Sequence, residues 1–134
     1  MTMTKTTIVA SILWAISAFI GPARADAVLE GFDNPNRVPD SYIIAFSDLP
    51  ELGLMDPDDA QATGESRWSI HAHNKARVEE VAREMALQYG GRITALYWIS
   101  TCGFAGVFST ARILEMSRDP RISRIEADHV IRVQ

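Results

Sequence analysis

The chain has 134 residues, 47% of them hydrophobic, and sets 13 Lys and Arg against 17 Asp and Glu for a net charge of −4. That length holds one domain with a modest core, and that composition is globular rather than disordered. The acidic balance, with no basic stripe, excludes a binder of nucleic-acid backbone, and a lone cysteine, Cys102, excludes an internal disulfide.

Lys5, an apolar run over residues 8–20 and the small-x-small triplet Ala23-Arg24-Ala25 predict a secretory signal peptide over 1–25, cleaved after Ala25. The run is too short to span a bilayer and ends at Gly21-Pro22, so no membrane attachment is expected after cleavage. The expected location is secreted or periplasmic. Lys5 and Arg24 leave with the signal, so 11 basic residues face 17 acidic ones and the remaining chain carries −6.

Residues 26–40 are polar, contain Pro35 and Pro39, show no periodicity and predict a flexible lead-in. Residues 41–46, SYIIAF, form a continuous apolar run suited to a central strand buried on both faces. An acidic loop insertion over 47–73 follows, with Asp48, Glu51, Asp56, Asp58, Asp59 and Glu65. His71 and His73 at its end admit a metal site, but the carboxylates have no fixed ligand spacing, and solvated loop residues fit them better. No metal or cofactor is expected.

A helix is predicted over 74–89. Asn74 caps it, Val78, Val81, Ala82, Met85 and Tyr89 make one apolar stripe, and Gly90-Gly91 stops it. Residues 92–100 alternate as a strand, with Ile93, Ala95, Tyr97 and Ile99 on one side and Thr94, Leu96 and Trp98 on the other. Leu96 and Trp98 are expected either as a contact surface on an uncovered sheet face or, for Trp98, tucked under the acidic loop. A turn over 101–103 leads to a returning strand, 104–108, in which Gly106 marks a bulge or a close backbone approach. Ser109 caps a short helix over 110–117 with Ala111 and Leu114 inward, and Asp119-Pro120 stops it. The last strand, 122–126, carries Ile122 and Ile125 three apart, which breaks strict alternation. Beyond it, Val130 to Gln134 is β-branched and free of Gly and Pro. It suits either a final sheet strand or a segment lying extended in a partner's groove.

The order strand, helix, strand, strand, helix, strand predicts an α+β, ferredoxin-like βαββαβ fold. Its four-stranded antiparallel sheet would carry both helices on one face. No catalytic constellation is recognised: there are no nucleophile-elbow glycines, no zinc spacing and no phosphate loop opening a helix. The chain is not expected to be an enzyme.

Residues 38–46 (VPDSYIIAF), Gly103-Phe104-Ala105-Gly106, Asp119-Pro120-Arg121-Ile122 and Ile125-Glu126-Ala127-Asp128 resemble, in this order, motifs of subtilisin propeptides. On that resemblance, residues 41–134 form a domain similar to the subtilisin propeptide-like inhibitors, with a subtilisin-type serine protease as partner. It implies that the open sheet face docks on the protease and that Ile131, Arg132, Val133 and Gln134 lie product-like in the active-site cleft. Glu126 and Asp128 would then cap helix N-termini on the enzyme. Since Gln134 is the last residue, the expectation is a free-standing inhibitor. A folding chaperone acting in trans on a separately encoded protease, or a ferredoxin-like ligand- or metal-binding module, are the alternatives.

Overall fold

The computed structural model describes residues 26–59, 64 and 66–130. The predicted signal peptide lies outside the described residues, as do Ile131, Arg132, Val133 and Gln134. Seven main elements follow in order: β1 (Val28–Glu30), β2 (Arg37–Phe46), α1 (Arg67–Tyr89), β3 (Arg92–Trp98), β4 (Cys102–Val107), α2 (Thr110–Met116) and β5 (Ile122–His129). Two 3-10 turns, Pro50–Leu52 and Pro57–Asp59, interrupt the acidic segment before α1.

Among the described residues the fold is mixed α+β, with two helices and one sheet of five strands in the order β1-β5-β2-β4-β3. The expected four-stranded, wholly antiparallel sheet is therefore corrected. Strands β5, β2, β4 and β3 pair antiparallel, and β1 adds a fifth strand parallel to β5. The lead-in 26–40 is thus part of the sheet: it supplies β1 and the first residues of β2. Its lack of periodicity hid this because a three-residue strand carries too little pattern to register.

Tyr42, Ile44 and Phe46 of β2, Phe104 of β4 and Ile122, Ile125 and Ala127 of β5 share one core with Val78, Val81 and Met85 of α1 and Ile113 and Met116 of α2. Both helices therefore cover the same sheet face. A register shift between Ala45 and Phe46 against β5 brings both Ile122 and Ile125 onto the core face, which accounts for their spacing of three. In α2 the inward residues are Ile113 and Met116, while Ala111 and Leu114 are exposed.

Helix α1 begins seven residues earlier than its pattern suggested. Ser66 is the cap, its Oγ accepting from Ser69 N at 3.1 Å. Asn74 lies within the helix, 1% exposed, and bonds the preceding loop instead: Nδ2 donates to Met55 O at 2.8 Å and Oδ1 accepts from Met55 N at 2.9 Å. Arg77 Nε donates to Leu52 O at 2.6 Å, and Leu52 is buried against the core. The acidic segment is thus pinned to α1 through its backbone at Leu52 and Met55, and Arg67 of α1 pairs with its Asp58 at 2.8 Å.

At the other end of α1, Gly90 takes φ +66° and ends the helix as expected. Gly91 and Gly106 make room for the Phe108 ring: a Cβ on Gly91 would fall inside the ring, and one on Gly106 would come 2.7 Å from Cε2. Phe108 is 2% exposed. Gly91→Ala is expected to displace it and lower stability by about 2 kcal/mol, read as a shift of the urea midpoint at unchanged slope.

Candidate functional site on the uncovered sheet face

The face of the sheet turned away from the helices is built by alternation. Strand pairing places Ser41, Ile43 and Ala45 beside Val107, Ala105 and Gly103, and beyond them Tyr97 beside Gly103. Across β2, Ala45 stands against Arg124 and Ile43 against Glu126. A hollow of about 420 Å³ opens beside Ala45, bordered by Ile43, Tyr97, Ile99, Arg124 and the turn residues Ser100 and Thr101, with atoms of Leu96 and Trp98 also reaching its lining. Tyr97 is 40% and Ile99 63% exposed, so this face presents apolar surface at the edge of the hollow. Gly103 is required here because a Cβ would strike the backbone oxygen of Ile44.

Glu126 and Asp128 project from this same face. In the parallel pairing Glu30 stands beside Glu126, and Ser41 Oγ donates to Asp128 Oδ2 at 3.2 Å, holding that carboxylate toward the end of the strand. The face thus has an apolar, small-residue centre with carboxylates along one side.

Leu96 and Trp98 belong by register to the helix-covered face, which corrects the contact-surface alternative given for them. They pair with Phe104 and Cys102, pack against the core, and Lys75 Nζ of α1 stands 5.1 Å from the Trp98 ring centroid. The cause is a register shift between Ile93 and Ala95 opposite Gly106. It inverts the outward set, so Tyr97 rather than Trp98 faces out. The sequence signal that marks the true site residues is weak: in 41–46 only Ser41 and Ala45 are smaller than the Tyr42 and Phe46 that follow them, while Ile43 and Ile44 are identical and give no sign of which faces out.

His71 and His73 sit on α1, two residues apart and so on diverging sides of the helix. His73 Nε2 lies 2.6 Å from Gly53 O. Among the described residues no cluster of three or more His, Cys, Asp or Glu is spaced to hold a metal ion. Cys102 is half-buried, and burial pushes its thiol pKa up, away from nucleophilic character.

The start of β5 is fixed by the buried Asp119. Tyr89 Oη donates to its Oδ2 at 2.8 Å, and Arg121 Nη2 and Nε donate to the two oxygens at 2.6 and 3.0 Å. Arg121 also reaches Gln88 Oε1 at 2.8 Å, tying the end of α1 to the strand that carries the site.

The described residues define a two-layer α+β domain with one uncovered sheet face. Among proteins of known sequence, the chain is similar to Subtilisin-like protease 4 of Trichophyton equinum, 29% identical over 115 residues. It is also similar to Subtilisin-like protease 1 of Trichophyton verrucosum, 25% identical over 118 residues. These alignments take in 83% and 87% of this chain but only 25% and 26% of the proteases, so the chain spans about a quarter of their length. No family model matches it.

Proposed function

We propose that this chain is a propeptide-like inhibitor of subtilisin-type serine proteases that performs no chemistry of its own. The observation that carries the proposal is the shape of the similarity: nearly all of this chain matches a quarter of a subtilisin-like protease. A segment of that size is too short to be the whole enzyme. Its uncovered apolar face is suited to docking on one. The order β5-β2-β4-β3, with both helices on one side, supports a ferredoxin-like plan to which β1 is an addition.

In this reading the open face meets the protease surface. Glu126 and Asp128 cap exposed helix N-termini, where unpaired amides favour anions. Residues 131–134, leaving the end of β5, lie in the cleft as an added strand with Ile131 in the apolar fourth pocket. The action is extracytoplasmic, reached through the predicted signal over 1–25.

Titrating residues 26–134 against a purified subtilisin, and following residual peptidase activity, tests the proposal. Stoichiometric loss that persists for hours supports an inhibitor. Rapid degradation of the chain with no loss of activity excludes that role and favours the trans-acting chaperone. Within the complex, Glu126→Gln and Asp128→Asn are each expected to weaken inhibition by about 5-fold to 10-fold, with a shallower salt dependence than the unaltered chain. Inhibition that is insensitive to both substitutions would remove the helix-capping role.

A further inference from the structure

Residues 26–37 meet β5 and its end at two places, through Val28–Glu30 and again through Asn36 and Arg37, beside the strand that leads into the terminal segment. Ala27 N donates to Ser117 O at 2.8 Å, and β1 then pairs with β5 at Arg124, Ile125 and Glu126. Gly31, at φ +73°, turns the chain closely over Ala127. Two successive turns follow, Asn34 N to Gly31 O and Arg37 N to Asn34 O, both 3.1 Å, and Asn34 Oδ1 accepts from Asn36 N at 2.9 Å. The Phe32 ring lies 5.4 Å from that of Tyr42, and Arg37 Nη1 donates to Phe32 O at 2.8 Å, closing the loop on itself. The loop then reaches the far end of β5: Arg37 pairs with His129, and Val130 N donates to Asn36 O at 3.0 Å.

We infer that residues 26–37 are a clamp that fixes the root of the terminal segment at Val130, with Phe32 and Arg37 as its positioning residues. Without them β5 would be an edge strand, free to fray where the segment departs. An extended segment loses conformational freedom when it binds, and a root already fixed has lost part of it beforehand. The consequence for inhibition rests on the function proposed above. The clamp itself is a property of the free protein.

The test uses the whole chain and Arg37→Ala, which cuts the tie from Arg37 to Phe32 without altering the sheet face. Hydrogen exchange at the Val130 amide, thermal midpoint and inhibition constant are measured together. The variant is expected to exchange Val130 at least tenfold faster while α1 amides keep their rates, and to inhibit roughly tenfold more weakly, the factor for re-ordering about one residue's backbone. Val130→Pro, which removes the amide donor itself, should reproduce the loss of inhibition. Tyr89→Phe, which lowers the melting temperature far from the clamp, should leave the inhibition constant unchanged. A Val130 amide already unprotected in the unaltered protein would overturn the clamp. Faster exchange with no change in inhibition would overturn its positioning role. Should the unaltered chain inhibit no subtilisin, the proposed function and the affinity consequence fall together, while the exchange rates still decide the clamp.

Discussion

Removal of Ile131, Arg132, Val133 and Gln134 is expected to raise the inhibition constant against a subtilisin-type protease by roughly a thousandfold. The magnitude follows from what a four-residue added strand contributes. In the proposed complex about three main-chain hydrogen bonds at ~1 kcal/mol each, with part of the apolar area of Ile131 and Val133 covered by the protease, would come to about 4 kcal/mol after ordering costs. Stability should hardly change, because the last core residue along the described chain is Ala127, 1% exposed, and Val130 is already 55% exposed. The paired measurement is therefore an inhibition titration and a thermal melt. A truncated chain that inhibits as tightly as the full one would leave face docking as the whole mechanism and discard the cleft segment. A truncated chain that no longer folds would contradict the core boundary drawn at Ala127.

Asp119→Ala is the substitution expected to cost most stability: about 3 kcal/mol, or roughly 15 °C of melting temperature. The carboxylate is 9% exposed and satisfies Tyr89 Oη, the Arg121 backbone amide and the Arg121 guanidinium together. Its removal leaves the Tyr89 hydroxyl without its acceptor and the partly buried Arg121 with only Gln88 and the more distant Glu84, which is worse than losing the bonds alone. Burial works to raise the Asp119 pKa, but the hydrogen bonds from Arg121 outweigh it and hold the carboxyl below the usual range. Its contribution is therefore fully present above the unfolded value near 4 and disappears as pH falls through the lower folded value. Tyr89 runs the opposite way: burial, and then the adjacent Asp119, push it up to about 12. The neutral hydroxyl keeps its stabilising role below about pH 10, and that is lost as pH rises toward 12. The gap in stability between the unaltered protein and Asp119→Ala should thus be widest between those limits and narrow below pH 4. A gap independent of pH in acid would show that Asp119 acts through packing rather than through its charge.

The division between what could be read from sequence and what could not follows physical lines. The stripe Val78, Val81, Ala82, Met85 and Tyr89, the stop at Gly90 and the break at Asp119-Pro120 are local facts, dictated by helical period and by which residues tolerate left-handed or non-helical backbone. The start of α1 was not legible in this way. Ser66 and Asn74 are equally good caps, and only the loop carbonyl and amide of Met55, waiting for an amide partner, draw Asn74 into the helix interior. The strand β1 was silent because its pairing with β5 spans nearly a hundred residues of sequence and leaves no local pattern.

By itself the sequence determined that a small acidic domain would form from alternating strands and helices, with Glu126 closing the last strand; that the strand runs on through Asp128 to His129 came only with the pairing to β2. What the sequence determined depends on period, composition and glycine chemistry, which act over a few residues. The choice of which side chains face outward was decided only by tertiary structure. A register shift between Ile93 and Ala95 exchanges Trp98 for Tyr97 on the open face, and one between Ala45 and Phe46 turns Ile122 inward beside Ile125. Because side chains alternate with a period of two, a single extra residue in a strand inverts everything beyond it, and where that residue goes is settled by the neighbouring strand.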